Sequence, residues 1–287
     1  MTDPLDVITQ SFREPGLVPG YEISSILGSG GQGIVFKAKK TAIGRTYAIK
    51  FLRPPDHVNP TTWRNSELGN LAALADMRHP NLVAIEDRGE TKSIPYLVLE
   101  YAGDQSLKTL MTQRRLGLKD GLRWLRQTAD AVQYLHDHGV LHLDVKPSNI
   151  YVLDGRAKLG DFGLVRLQSH SGAVDLSLAF GTPEYVAPEV VSLHRASPVS
   201  DVFGLGRTLD DLLIAAAVTD DRQPASWLME LATESTAMEP TQRPSLIAFR
   251  KRLAAPGGIR KVAFRSLRPE PRSSGAKGSP RFRSLRG

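Results

Sequence analysis

The 287-residue sequence contains no cysteine. A disulfide framework and a thiolate metal site are therefore excluded, and the redox compartment stays unassigned. Long apolar runs are also missing. The longest, Leu212 to Val218, spans seven residues, against the roughly 20 needed to cross a bilayer. Met1 to Pro15 carries acids and no apolar stretch of the signal-peptide kind. No compositional extreme marks a fibrous or wholly disordered chain: 41% of residues are hydrophobic and 23% charged. These absences leave a soluble or peripherally attached chain of one or two domains, with ample material for a core.

Acids are scarce at one end. Residues 256–287 hold nine Lys or Arg and a single acid, Glu270, a net +8 against +7 for the whole chain. Residues 1–255 are therefore near neutral, at −1. The basic excess describes the tail and says little about the ligand of the body. The tail is also rich in Pro, Gly and Ser, which predicts disorder in isolation. Phe264-Arg265-Ser266-Leu267-Arg268 recurs as Phe282-Arg283-Ser284-Leu285-Arg286. Two five-residue copies make no solenoid; they offer two equivalent docking points. An anionic membrane surface or an acidic partner fits such a tail better than nucleic acid, and a solvated extension is the plain alternative.

Residues 1–20 hold three prolines and little periodicity, so a flexible leader is expected. From Tyr21 the pattern is strand-like, with short β-rich runs at Tyr21–Leu27, Ile34–Phe36 and Thr46–Leu52. Trp63–Met77 reads as a helix with Leu68, Leu71, Leu74 and Met77 on one face, stopped by His79-Pro80-Asn81. Leu82–Asp87 and Tyr96–Glu100 read as two more strands. Beyond Gly103 the chain turns helical, at Leu122–Asp137, Asp201–Val218, Ala225–Thr236 and Ser245–Leu253. Strands first and helices after predict an α+β protein in two lobes joined near Glu100–Gly103. The expected divisions are 1–20, 21–102, 103–255 and 256–287.

Gly28-Ser29-Gly30-Gly31-Gln32-Gly33 is a G-x-G-x-x-G run, in which glycines let backbone approach phosphate oxygens. A dinucleotide fingerprint would need a helix next. The strand-like Ile34-Val35-Phe36 favours a glycine-rich hairpin instead. Lys50 sits among apolar residues in Tyr47-Ala48-Ile49-Lys50-Phe51. It either lies on an exposed strand face or points inward to anionic partners. His142-Leu143-Asp144-Val145-Lys146-Pro147-Ser148-Asn149 is far more specific. Asp144 suits a hydroxyl proton, Lys146 a phosphate charge and Asn149 a metal. Twelve residues on, Asp161-Phe162-Gly163 adds a second hard oxygen ligand suited to Mg²⁺. Gly181-Thr182-Pro183-Glu184-Tyr185 and Ala187-Pro188-Glu189 follow.

This ordered set, over about residues 21–254, resembles the protein kinase superfamily, and its bacterial Hanks-type serine/threonine branch in particular. The resemblance implies a small antiparallel sheet lobe with one helix, a larger helical lobe, and ATP with Mg²⁺ (or Mn²⁺) in the cleft between. It implies that Gly28, Gly30 and Gly33 cover the phosphates and that Lys50 holds them, with Glu67 as its carboxylate partner. Val35 and Ala48 would pack over adenine. Leu99 would be the gatekeeper, with Glu100 to Ala102 as the hinge. Asp144 would be the catalytic base, Lys146 the γ-phosphate contact, Asn149 and Asp161 the metal ligands, and Thr182 the seat of the acceptor hydroxyl. Glu189 with Arg243 would form a buried ion pair, and Asp201 would support the catalytic loop. The function implied is transfer of the γ-phosphate of ATP to a protein Ser or Thr, the chain itself included. The alternative is a nucleotide-binding scaffold without transfer. Pairing of two copies through the small lobe and a cytoplasmic location, with the tail at the inner membrane face, complete the expectation.

Four departures stand out. The family spacing places Asn70, not Glu67, nine residues before His79, so Glu67 requires a longer connection. Leu143 replaces the arginine that grips activation-segment phosphate, so Ser169, Ser171 and Ser177 are expected to be dispensable for basal activity. Tyr151 takes the floor position beneath adenine, where it either stacks or crowds. Only 42 residues separate Asp201 from Arg243, too few for the usual docking helix, so substrate docking is expected elsewhere. The remaining readings are bland. His136 and His138 end a helix, His142 supports Phe162, and Trp63, Trp124 and Trp227 are packing residues.

Overall fold

The computed structural model describes residues 4–31, 33–53, 74–162, 165–167, 182–220 and 225–254. Residues 4–254 form one compact unit. The basic tail and its repeat lie outside the described residues.

Five strands build the small lobe: β1 (Tyr21–Gly30), β2 (Gly33–Lys40), β3 (Thr46–Leu52), β4 (Ile85–Thr91) and β5 (Ile94–Glu100). They pair antiparallel in the order β1-β2-β3-β5-β4. Lys92 and Ser93, both at positive φ, close the β4–β5 hairpin with the backbone that a tight two-residue turn requires. β4 therefore starts later and runs further than the strand expected at Leu82–Asp87. The helix expected at Trp63–Met77 is described only at its end, where Leu74 and Ala75 are helical.

Register assigns the two faces of the sheet, because directly paired residues share a face. Phe36, Ile49 and Val98 are paired across β2, β3 and β5. They belong to one core with Tyr47, Phe51 and Tyr96. That core also contains Leu5, Ile8, Leu17 and Val18. The leader, expected to be flexible, carries a helix over part of residues 4–20: α1 (Pro4–Ser11) and the turn after it lie on the outer face of the sheet. Three prolines hid an i, i+3 pair, Leu5 and Ile8, from the periodicity reading; one turn of helix is enough to bury both. On the other face Lys37, Ala48 and Leu99 are paired, as are Val35, Lys50 and Leu97. Ala48, Leu97 and Leu99 join the main core of the large lobe.

The large lobe holds α2 (Leu107–Thr112), α3 (Leu118–Asp137), α4 (Pro188–Leu193), α5 (Pro198–Asp220), α6 (Ser226–Ser235) and α7 (Leu246–Ala254). Short strands β6 (Val140–Leu141) with β9 (Arg166–Leu167), and β7 (Ile150–Leu153) with β8 (Arg156–Leu159), carry the site loops. α3 is amphipathic: Leu125, Ala129, Val132 and Leu135 are fully buried at helical spacing. Gly139, at φ +71°, ends it. Trp124 is buried and its Nε1 donates to the Gly155 carbonyl at 3.1 Å. Among the described residues no helix is long and apolar enough to cross a membrane.

Candidate active site between the lobes

The loop from Leu141 to Asn149 leaves β6 and ends in a 3₁₀ turn at Pro147–Asn149. Leu143 sits at φ +61°, a backbone state that costs a branched residue of order 1–3 kcal/mol. Two interactions hold it there. The Asp201 carboxylate on α5 accepts the Leu143 N–H at 2.6 Å and the His142 N–H at 3.0 Å. The Leu143 side chain is buried with Leu141, Ala187, Val190 and Phe203. A third contact to Asp201 comes from His136 Nε2, at 2.7 Å. His136 therefore does more than end a helix: it is buried against the aspartate that shapes the loop. The reading missed it because helix-end histidines are usually solvated; only its burial, invisible in sequence, sets it apart. Burial alone would raise the Asp201 carboxyl, but the bond from His136 and the loop amides hold it below the usual range.

This loop presents three polar side chains together. Lys146 Nζ donates to both carboxylate oxygens of Asp144, at 2.9 and 2.8 Å, and to Thr182 Oγ1 at 2.9 Å. Asn149 Nδ2 donates to the Asp144 carbonyl at 2.9 Å and to its Oδ2 at 2.8 Å. That orientation turns the Asn149 amide oxygen away from Asp144 and leaves it as an acceptor. Asp144 is almost fully buried. Burial pushes its carboxyl up, and Lys146 opposes that push without cancelling it. His142 is fully buried with its ring against Phe162, as expected, and burial lowers its pKa.

Lys50 on β3 crosses the cleft to Asp161, Nζ to Oδ1 at 2.5 Å. It is buried, and so points inward rather than lying on an exposed strand face. Asp161 has φ +64°, a conformation that aspartate tolerates better than most residues. Burial would raise its carboxyl, yet Lys50 beside it holds it low. Glu67, Asn70, Ser169, Ser171, Ser177 and Trp63 lie outside the described residues.

Above the cleft, Gly28 and Gly30 in β1 and Gly33 in β2 form the predicted hairpin, with Gly30 opposite Gly33. Gly33 is needed by the fold: φ is +137° and a Cβ there would lie 1.9 Å from the Phe51 carbonyl oxygen. A Cβ on Gly28 or Gly30 would meet nothing within 4 Å. Packing does not demand those two glycines, so a requirement for close backbone approach explains them better. Val35 and Ala48 lie on the cleft face with Leu99. At the hinge, Glu100 Oε2 accepts from Lys158 Nζ at 2.9 Å and from the Ala84 N–H at 3.3 Å. Among the described residues no hydrogen bond uses the Ala102 N–H or C=O, which leaves a donor and an acceptor for the edge of a flat base. Tyr151 is half-buried, its hydroxyl pushed up to about 12 by burial and by Asp161. A Cβ on Gly160 would come within 3.2 Å of the Tyr151 ring and 3.0 Å of Val83. The glycine before Asp161 makes room for the aromatic floor.

The donor set fits a nucleotide and a hard cation. Among the described residues no three His, Cys, Asp or Glu form a metal cluster. Asn149 and Asp161 supply only two protein oxygens, as for a cation that completes its shell from phosphates and water. Glu189 Oε1 and Oε2 accept from Arg243 at 2.8 and 2.7 Å. This buried pair joins α4 to the turn before α7.

Residues 21–253 match the family profile described as protein kinase domain. The chain is 30% identical over 256 residues to CBL-interacting protein kinase 1 of Oryza sativa subsp. japonica, covering 88% of this chain and 55% of that protein. It is 32% identical over 193 residues to serine/threonine-protein kinase PknA of Mycobacterium tuberculosis, covering 65% and 44%. A probable serine/threonine-protein kinase of Streptomyces coelicolor is 33% identical over 213 residues, covering 70% and 31%. The chain thus spans about half the length, or less, of the curated relatives it matches. With the two lobes, the cleft between them and the Asp144–Lys146–Asn149–Asp161 constellation all in place, the match is one of architecture as well as sequence, and the chain belongs to the protein kinase domain family.

Proposed function

We propose that this chain is a serine/threonine protein kinase that moves the γ-phosphate of Mg²⁺-ATP to a protein hydroxyl. One observation carries the reading: Lys146 joins the Asp144 carboxylate and the Thr182 hydroxyl in one hydrogen-bonded chain. Thr182 belongs to the segment that would seat an acceptor, and Asp144 to the loop that would receive its proton. When bound, the nucleotide and its cation supply the transferable phosphoryl group and neutralise its charge. The chain's residues do the rest. Gly28 and Gly30 expose backbone to phosphate oxygens, Lys50 adds positive charge, and Asn149 and Asp161 offer oxygens to the cation. Asp144 orients the acceptor hydroxyl and takes its proton, and Lys146 keeps that carboxylate aimed. Ala102 offers the base edge a donor and an acceptor. Glu67 remains the candidate partner of Lys50.

The basic tail belongs to the same reading as an electrostatic tether to an anionic membrane surface or acidic protein, on the strength of its net +8. Transfer of label from ATP with Mg²⁺ tests the main claim, comparing the wild type with Asp144→Asn on the chain itself and on a basic acceptor protein. Phosphoserine or phosphothreonine in the wild type alone supports it. Nucleotide binding without transfer by the wild type would replace it with a nucleotide-binding scaffold.

A further inference from the structure

Lys37, like Lys50, lies on the cleft face of the small-lobe sheet. It is paired with Ala48, two residues from Val35, at the end of β2 nearest the hinge. Its Nζ does not reach toward the catalytic loop. It donates to Tyr101 Oη at 2.8 Å and to the Asp104 carboxylate at 3.1 and 3.4 Å. Tyr101 Oη donates in turn to Asp104 Oδ1 at 2.5 Å. The ammonium also lies 4.5 Å from the centre of the Tyr101 ring. Tyr101 is a hinge residue. Asp104 stands beyond it, at the start of the large lobe. Between them Gly103, at φ +94°, lets the chain pass close to the Val152 carbonyl of β7. The three groups thus close a ring of contacts that begins in one lobe and ends in the other.

We infer that Lys37, Tyr101 and Asp104 form a latch beside the hinge that restrains lobe opening and slows nucleotide release. The inference rests on the nucleotide-binding reading above. It concerns a different set of residues, none of which touches the reacting atoms, so all three are positioning residues. An exposed ion pair alone would be too weak. Side-chain exposures of 31% and 57% put Lys37–Asp104 in the class that shifts an equilibrium by less than about fivefold. Here the pair is not alone. Each of the three groups bonds to the other two, and the cation also faces an aromatic ring, so the contacts reinforce one another. Mutual support shows in the ionisation behaviour: the Tyr101 hydroxyl and Lys37 hold the Asp104 carboxyl low, and Tyr101 and Asp104 hold the Lys37 ammonium charged. A lobe hinge that opens on each turnover must break the Lys37 contacts to Tyr101 and Asp104 together, and such openings commonly limit product release.

The absence of native cysteine makes the test direct. Ile43→Cys in the small lobe and Ile247→Cys in the large lobe fall on exposed positions and accept spin labels without background. The interlobe distance distribution is then measured without nucleotide, in the parent and with Lys37→Met, Asp104→Asn or Tyr101→Phe. The latch predicts a broader and longer distribution in each variant. It also predicts that a fluorescent ADP analogue dissociates about three- to tenfold faster, with recovery in the charge-exchanged Lys37→Asp, Asp104→Lys chain. Unchanged distributions and unchanged release in variants that keep the parent's melting temperature would overturn it. A parent that binds no ADP would sink the nucleotide reading, while the distances would still decide the latch. Tyr101→Phe removes one oxygen and keeps the ring, so at least one variant retains the fold.

Discussion

The reactive centre depends on a few side chains whose neighbours fix their geometry. Asp144 is held by Lys146 and Asn149 together, so Asp144→Asn should keep the fold and nucleotide affinity and lose transfer. The expected loss is about 10²- to 10⁴-fold, the range of a positioned proton acceptor; single-turnover transfer and nucleotide titration on one preparation check it. Tyr151 and Gly160 are coupled by space. Gly160→Ala should weaken nucleotide binding by crowding the floor of the cleft, and adding Tyr151→Leu should restore it; a double-mutant cycle read by nucleotide affinity shows the coupling as non-additivity. At this scale the sequence was informative where chemistry demands a local run. His142 to Asn149 and Asp161 were visible because their roles require nearness in the chain. His136, Lys158 and Lys37 were not, because each meets its partner across 58 to 67 residues. A side chain's distant partner leaves no local pattern.

Among the elements, α1 shows how little sequence a secondary structure needs once a surface awaits it. Eight residues seldom hold a helix alone, and the leader holds one because Leu5 and Ile8 complete an apolar face already lined by Phe36 and Ile49. Ile8 is fully buried. Ile8→Ala should therefore cost about 2–5 kcal/mol in denaturant unfolding, as for a core aliphatic, far more than a change in a loose leader would. The Glu189–Arg243 pair makes a different demand. Arg243→Met would strand a buried carboxylate, at a cost of about 3–5 kcal/mol. Its pH behaviour has a definite sign. Burial works against the Glu189 carboxylate, but Arg243 and Ser200 win and hold its pKa below the ordinary 4.5. Its contribution is then present above that value and is lost as pH falls through the lower, folded one. Melting temperature should drop on acidification in the wild type, and that part of the drop should vanish in Glu189→Gln.

On the scale of the whole molecule, two lobes were legible from the order of strands and helices, but the partition of the core was not. The outer face of the sheet has its own core, closed by the leader. The inner face shares one core with α3, α5 and α7, through Ala48, Leu97 and Leu99 on one side and Leu125, Leu205 and Phe249 on the other. Alternation in β3 and β5 marks two buried faces without saying what covers each. Because the inner core is common to both lobes, residues 4–102 made alone should lack a cooperative unfolding transition, whereas residues 4–254 should show one. Calorimetry of the two fragments distinguishes these outcomes.

The same partition has a consequence for synthesis. Chains leave the ribosome amino end first, at about 5–20 residues per second. The sheet's outer cover is made before any of its strands, so that side can seal as soon as β5 emerges. Among the described residues, the inner side shares its core with α3 and α5, and both leave the ribosome only after residue 103. Until then its part of that common core stays unfilled. For those seconds the nascent small lobe is half finished, and the surface that will become the roof of the cleft is the one a chaperone would meet.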